Sequence, residues 1–210
     1  MLLTRFLDKL RGDGCLTAFV NAAGLGPEEL IRSIAEKLQA PVEHEWNLFR
    51  LWRAVQDRLY ELRFLREQAV VLVDDADAAG ADVLTHLYRL LHVEAAADAR
   101  LTVVMAVERE STARLGRNLV EMVDLRIELR TWSLSETRAL VEACGRNARP
   151  TNFDDAAMKQ LWQVSRGVPR SIIRLAELCR LAAEADGGFR VGEAIVEGVA
   201  AEFAVSTAAA

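Results

Sequence analysis

The order of its apolar runs constrains this chain most. Four short stretches read as strands: "CLTAFV" (15–20), the run 69–74 inside "AVVLVDD", "RLTVVMAV" (100–107) and "LRIEL" (125–129). Helical period fills the intervals between them. Leu3, Phe6, Leu7 and Leu10 share one face of a helix over 2–11. "GLGPEELIRSIAEKL" sets Pro27 near the first helical position, with acids in the first turn that complement the helix dipole. "EWNLFRLWRAVQDRLYELRFL" is a longer amphipathic helix, and further helices are expected from about Asp82 to Val93 and around 111–120. Strands separated by helices are joined by crossovers, so the sheet is expected to be parallel and the class α/β. From Ser133 onward no strand candidate remains. "SLSE", Ser133 with Glu136, is a capping box opening a helix over 134–145. "TNFDDAAMKQLWQVS", capped near Thr151 or Asn152, "GVPRSIIRLAELCRLAAEA" and a weaker "VGEAIVEGVAAEF" are the helices that follow. The expected division is an α/β core over 1–132, a helical domain over 133–186, and a terminal helix and tail over 187–210.

The chain's 210 residues suffice for one sizeable core with a small satellite. A net charge of −5 argues against a general nucleic-acid coat, which would be basic. Cys15, Cys144 and Cys179 are odd in number, lie far apart and form no CxxC, and His44, His86 and His92 add no metal-ligand spacing. Reduced thiols in a cytoplasmic protein are the expectation. "MLLTRFLDKL" is too short and too charged for a secretory apolar core, and no run approaches the ~20 residues of a membrane span, so no membrane insertion is expected.

The second strand runs straight into Asp74 and Asp75, with Asp77 following. Two accounts fit that local string. The strand ends in a solvated turn where Asp caps the next helix, or it is a nucleotide hydrolase strand. In the second account Asp74 fixes Mg²⁺ through its waters, because Mg²⁺ gives up water reluctantly, and Asp75 polarises the attacking water. A receiver domain also pairs acids at a strand end, but it needs a lysine on its last strand, and no lysine lies between Lys37 and Lys159.

The succession "VVLVDDAD", "VLTHLYRLLHVEA", "LTVVMAV", "LRIELRTWSLSETRALVEACGRNA" and "TNFDDAAMKQLWQVSRGVPRSIIRLAELCRLA" resembles the AAA+ ATPases of the ExeA type, associated with secretion, and the related ATPase subunits of transposition systems. "SRGVPRSIIRLAELC" is similar to that family's GxPR segment. The resemblance covers nearly all of residues 1–200. It implies a P-loop NTPase-like parallel sheet followed by a helical lid, ATP and Mg²⁺ as cofactors, and hydrolysis driving movement in a partner. By position it implies Asp74 as the Walker B aspartate on the metal and Asp75 as the catalytic acid, where the family has Glu. It also implies Arg170 as the sensor-2 arginine on the phosphates, and Arg126, or Arg117, as an arginine offered to a neighbouring subunit's site. Glu108 stands nearest the sensor-1 position. The implied partners are further copies or partner ATPase subunits, in a secretion or membrane-associated assembly. A DNA-linked role would use a basic stripe of Arg166, Arg170, Arg174 and Arg180, and is the lesser expectation.

One part of that chemistry is missing from these residues. A phosphate cradle of the form GxxxxGK[ST] does not occur in residues 1–210, and none of the three lysines follows a glycine. The family places that loop directly before a helix resembling "MLLTRFLDKLRGDG", after a first strand that lies inside the sheet. The expectation is an N-terminally shortened ATPase, inactive as it stands, with a non-catalytic scaffold as the competing class. Omitting the interior strand would leave a gap of about 9.6 Å, which the sheet closes or leaves as two bare edges.

Overall fold

The computed structural model describes residues 2–93, 100–145 and 152–208. They fall into two units, Met1–Arg126 and Ile127–Ala210. The first contains α1 (Leu2–Gly12), β1 (Leu16–Asn21), α2 (Pro27–Lys37), α3 (Leu48–Leu65), β2 (Ala69–Asp74), α4 (Ala81–Val93), β3 (Leu101–Met105) and α5 (Gly116–Glu121). Its strands are parallel in the order β1-β2-β3, with Val20 opposite Val73 and Val73 opposite Met105.

The central strand explains why its sequence is continuously apolar. Side chains alternate across a strand. Ala69, Val71 and Val73 enter a core shared with Ala18, Val20 and the buried faces of α2, α3 and α4. Val70 and Leu72 point the other way, onto Leu7 of α1. Both faces are covered, so both sets must be apolar. Each buried Val or Leu contributes about 1.5–3 kcal/mol, and this strand carries four valines and leucines at 3% exposure or less.

Local chemistry sets the helix starts, with Pro27 first in α2 as expected. The Gly26 amide donates to the Glu29 carboxylate at 2.7 Å just ahead of Pro27. Asn47 accepts from the Arg50 amide at 3.1 Å and starts α3. The intervening loop is tied to α2 by Arg32, which donates to the carbonyls of Glu43 at 3.0 Å and Trp46 at 2.7 Å.

A further tie joins α3 to α4. The buried Trp52 indole N–H donates to His86 Nδ1 at 3.0 Å, and the Arg89 guanidinium lies 4.4 Å from the Trp52 ring centre. Burial first, then the Arg89 charge, hold His86 below the ordinary histidine value of 6.5, against an opposing pull from Asp82. Protonation removes the Nδ1 lone pair that accepts from Trp52. The unfolded chain takes up this proton more readily than the folded one. The contribution to stability is therefore complete above 6.5 and is lost as pH falls from there through the lower folded value. We expect the urea midpoint to fall between about pH 8 and pH 5.5, and the fall to be smaller in His86→Gln. Equal falls in the two proteins would remove His86 from this role.

Residues 125–129 are not a strand. Leu125, Ile127 and Leu129 have strand-like alternation, yet they pair with no described strand and are 74%, 74% and 75% exposed. Apolar alternation supplies one face of a strand but no hydrogen-bonding neighbour, and without a neighbour no ladder forms.

The second unit contains α6 (Leu134–Gly145), β4 (Asn152–Phe153), α7 (Asp155–Ser165), α8 (Pro169–Ala185), β5 (Arg190–Val191) and α9 (Glu193–Ala208). The helices α7, α8 and α9 pack on one another, and α6 packs on α7 and α8. Their core holds Met158, Leu161, Ile172, Leu175 and Cys179. Burial pushes the Cys179 thiol up to about 11, so it behaves as a small apolar side chain. The capping box forms as expected: the Ser133 amide donates to Glu136 at 2.8 Å, and the Glu136 amide donates to the Ser133 hydroxyl at 3.3 Å. The bond from the Ser133 amide, and a second from the Ser133 hydroxyl at 2.7 Å, hold the Glu136 carboxyl below its usual range.

Two sequence expectations change here. The region after Ser133 does contain strand: β4 and β5 pair in parallel, each of two residues, too short to show a period. β4 occupies the stretch where the α7 cap was expected. Asn152 lies in β4, Thr151 lies outside the described residues, and Asp154 is the cap, accepting from the Ala157 amide at 2.8 Å.

Candidate functional site

In an open α/β sheet, ligands gather at the carboxyl ends of the strands. Here β1, β2 and β3 end together. The Ala22 amide donates to the Asp74 carbonyl at 2.9 Å, the Ala106 amide to the Val73 carbonyl at 2.8 Å, and the Ala76 amide to the Ala106 carbonyl at 3.0 Å. These bonds carry the three chains past their strands as one surface, and on it stand the acids.

Asp74, the last residue of β2, is half-buried, and its Oδ1 accepts from the Asp75 amide at 3.2 Å. Asp75 is exposed and sits in the left-handed region at φ 50°, ψ 40°. Asp is one of the few residues that visits that region without a large penalty. The bend turns its carboxylate toward β1, where Asn21 Nδ2 donates to Asp75 Oδ2 at 2.8 Å. Asn21 is itself fixed, because its Oδ1 accepts from the Ala23 amide at 2.9 Å. Asp77 begins a different link: its Oδ1 accepts from the Glu108 amide at 3.2 Å, tying the turn after β2 to the segment after β3. Glu108 is exposed and its carboxylate accepts from the Ser111 hydroxyl at 3.4 Å.

The arginines named from sequence stand as follows. Arg117 donates to Glu121 at 2.6 Å on the exposed side of α5. Arg126 is exposed at the end of the first unit. Arg170 belongs to the second unit, exposed in the first turn of α8 after Pro169. Its position rests on Gly167 at φ +69°, whose carbonyl accepts from the Trp132 amide at 2.7 Å. The Trp132 carbonyl in turn accepts from the Trp162 indole at 2.9 Å. The basic stripe keeps Arg166, Arg170 and Arg174 exposed but loses its fourth member. Arg180 is 8% exposed, donates to the Val141 carbonyl at 2.9 Å and lies over the Phe153 ring, so it belongs to the interior of this unit.

The residue that sequence reasoning missed is Asn21. Its only signal was a polar residue closing an apolar strand, and its partner lies 54 positions away.

A family model described as an AAA domain matches residues 1–115. The chain belongs to the AAA family. This AAA chain is 26% identical over 180 residues to the General secretion pathway protein A of Aeromonas hydrophila, an alignment covering 83% of the chain and 33% of that protein. Among solved structures it is similar to the Thermotoga maritima RuvB Holliday junction branch migration motor, at TM-score 0.53 and 21% identity over 94% of this chain and 65% of that one. It is also similar to the Aeropyrum pernix ORC1 protein solved in complex with DNA, at TM-score 0.69 and 17% identity over 96% of this chain and 54% of that one. The chain thus spans a third of its curated relative and about half to two thirds of these structures. At these identities the structures establish the fold, a P-loop NTPase-like parallel sheet with helices.

The fit of a magnesium nucleotide to this site divides in two. Mg²⁺ bound to a nucleotide needs one or two carboxylates, its remaining positions being filled by water and phosphate. Asp74 and Asp75 are two carboxylates, adjacent where β2 ends, and no cluster of three ligating side chains occurs among the described residues. The phosphate side does not fit. It requires a loop of backbone N–H groups with a lysine, and residues 1–210 hold no GxxxxGK[ST].

Proposed function

We propose that this AAA chain is the acid-bearing part of an ATPase module whose phosphate cradle is not among residues 1–210. As it stands it neither binds Mg-ATP tightly nor hydrolyses it. The supporting observation is the placement of Asp74 and Asp75 at the joint carboxyl end of three parallel strands, with Asn21 holding the second acid. In a completed module Asp74 would face the metal's water shell. Asp75 would accept a hydrogen bond from the attacking water, and Asn21 would fix the direction in which Asp75 points. ATP bound with Mg²⁺ would supply the phosphoryl group and the charge that these acids manage.

Arg170, at the start of α8, is the residue we assign to the phosphates from the helical unit, so that nucleotide state is felt by α8. Arg126 or Arg117 would serve a neighbouring subunit's site, and Arg117 must first release Glu121. The domains we assign are the core over 1–132, the lid over 133–186 and the terminal helix. The output is movement passed to a partner on the cytoplasmic side, and the likeness to a general secretion protein favours a secretion-associated assembly. No described helix is long and apolar enough to cross a membrane.

Titration with a fluorescent ATP analogue tests this directly. We expect no saturable Mg-dependent binding by residues 1–210. Binding is expected once an apolar strand and a GxxxxGK[ST] loop are added ahead of Met1. Tight binding by residues 1–210, or a folded extended chain that still fails to bind, would defeat the proposal.

A further inference from the structure

The buried side of α3 is made by Leu51, Trp52, Val55, Leu59 and Leu62. Its opposite side shows large aromatic side chains to water among its charges. Phe49, Tyr60 and Phe64 are 73%, 52% and 88% exposed. At 3.6 residues per turn these three, with Arg53 and Gln56, fall within about 80° of arc. They make a stripe along the helix, and Phe49 and Phe64 lie about 22 Å apart at 1.5 Å per residue.

The stripe is its own complement. Lay a second α3 against it antiparallel, with the two-fold axis crossing between Gln56 and Asp57. Phe49 then meets the other copy's Phe64 at both ends. Arg53 falls over the other copy's Tyr60, again twice, an arrangement that favours a guanidinium on an aromatic face. Gln56 meets the other copy's Gln56 on one flank, amide to amide, and on the other flank Asp57 approaches the other copy's Asp57 with an Arg53 from each copy alongside. A two-fold axis also brings the same flank of each helix together. On that flank stand Arg50, Asp57 and Glu61, and Arg50 of one copy comes beside Glu61 of the other. Within one chain Glu61 holds Arg58 at 2.6 Å. Arg53 reaches Asp57 at only 3.9 Å, with both side chains exposed. A parallel arrangement would instead set Phe49 against Phe49 and Arg53 against Arg53, stacking like charges.

We propose that α3 is a homodimer surface: two copies of this chain associate antiparallel along the Phe49–Arg53–Tyr60–Phe64 stripe, with Arg50 and Glu61 exchanged between them. One helix pair is a small interface, so the association is reversible and its strength lies in the micromolar range. The surface is isologous and closes at two copies.

Sedimentation of the full chain between about 1 and 100 µM reads the dimer. The apparent mass is expected to rise toward twice that of the monomer. Phe64→Glu is expected to hold it at the monomer without changing the far-ultraviolet spectrum, because the side chain is exposed. Arg50→Glu alone and Glu61→Arg alone should each weaken the dimer about 10-fold or more, and the two in one chain should restore it to within about 3-fold. Residues 50 and 61 lie too far apart along the helix to touch within one copy, so a purely intrachain role gives no rescue. A monomer at the highest concentration, a dimer indifferent to Phe64→Glu, or a double variant no better than the worse single one would each overturn the proposal.

Discussion

Gly167→Ala is expected to destabilise the helical unit by about 3–5 kcal/mol, combining the left-handed backbone penalty with overpacking. Gly167 lies at φ +69°, and a Cβ there would sit 2.3 Å from the Trp132 carbonyl oxygen and 3.0 Å from its amide nitrogen. Neither atom can retreat cheaply. The Trp132 amide donates to the Gly167 carbonyl, and the Trp132 carbonyl accepts from the Trp162 indole. A methyl group therefore breaks a backbone pairing and a half-buried indole bond together. Gly187 supplies the control, with φ +75° and nothing within 4 Å of its Cβ position. Gly187→Ala should cost only the backbone part, about 1–2 kcal/mol. Urea unfolding followed by tryptophan emission reads both. Similar midpoints for the two variants would show that the Trp132 contact is soft. Because Arg170 follows Gly167 by three residues, the same variant should also disturb the first turn of α8.

The second expectation concerns the acids, and it rests on the proposed function. In a chain completed with a phosphate cradle, Asp75→Asn should lower ATP turnover by about 10²-fold or more while leaving nucleotide affinity nearly unchanged. The amide oxygen still accepts from Asn21 at the same place, so the turn after β2 is kept, but the carboxylate that would take the water's proton is gone. Asn21→Ala separates placement from chemistry. It leaves Asp75 charged but removes the 2.8 Å bond that directs it. Turnover should fall by about 10-fold with KM unchanged, the pattern of an interaction made in the transition state alone. Full turnover in Asp75→Asn would remove that residue from the chemistry. An Asn21→Ala effect confined to KM would reassign Asn21 to binding.

How far the sequence could be followed depended on the distance over which each feature is decided. The three strands of the sheet were legible because apolar continuity in β2 answers to burial on both faces. The Ser133–Glu136 box was legible because its partners are three residues apart. Features decided across the fold were not. Asn21 finds Asp75 only once β1 and β2 lie side by side. Arg180 reads as one more charge on a basic helix, and only the packed unit shows it donating to the α6 backbone under Phe153. Residues 125–129 erred the other way: their alternation was visible, but the missing pairing partner was not. At Asp154, one position in a run of polar residues became the cap because β4 occupies the residues before it.

The two margins of the three-stranded sheet are unlike. Beyond β1, Lys37 donates its ammonium to the Phe19 carbonyl, so an incoming chain would first have to displace a charge. β3 carries the run Leu-Thr-Val-Val-Met, and its outer edge is bonded to no described strand. A strand would therefore be accepted more readily beyond β3 than beyond β1, and one joining there in parallel would end near Ala106. The next bend of that newcomer would open over Asp74 and Asp75, so the margin that accepts a strand also decides what the acids face.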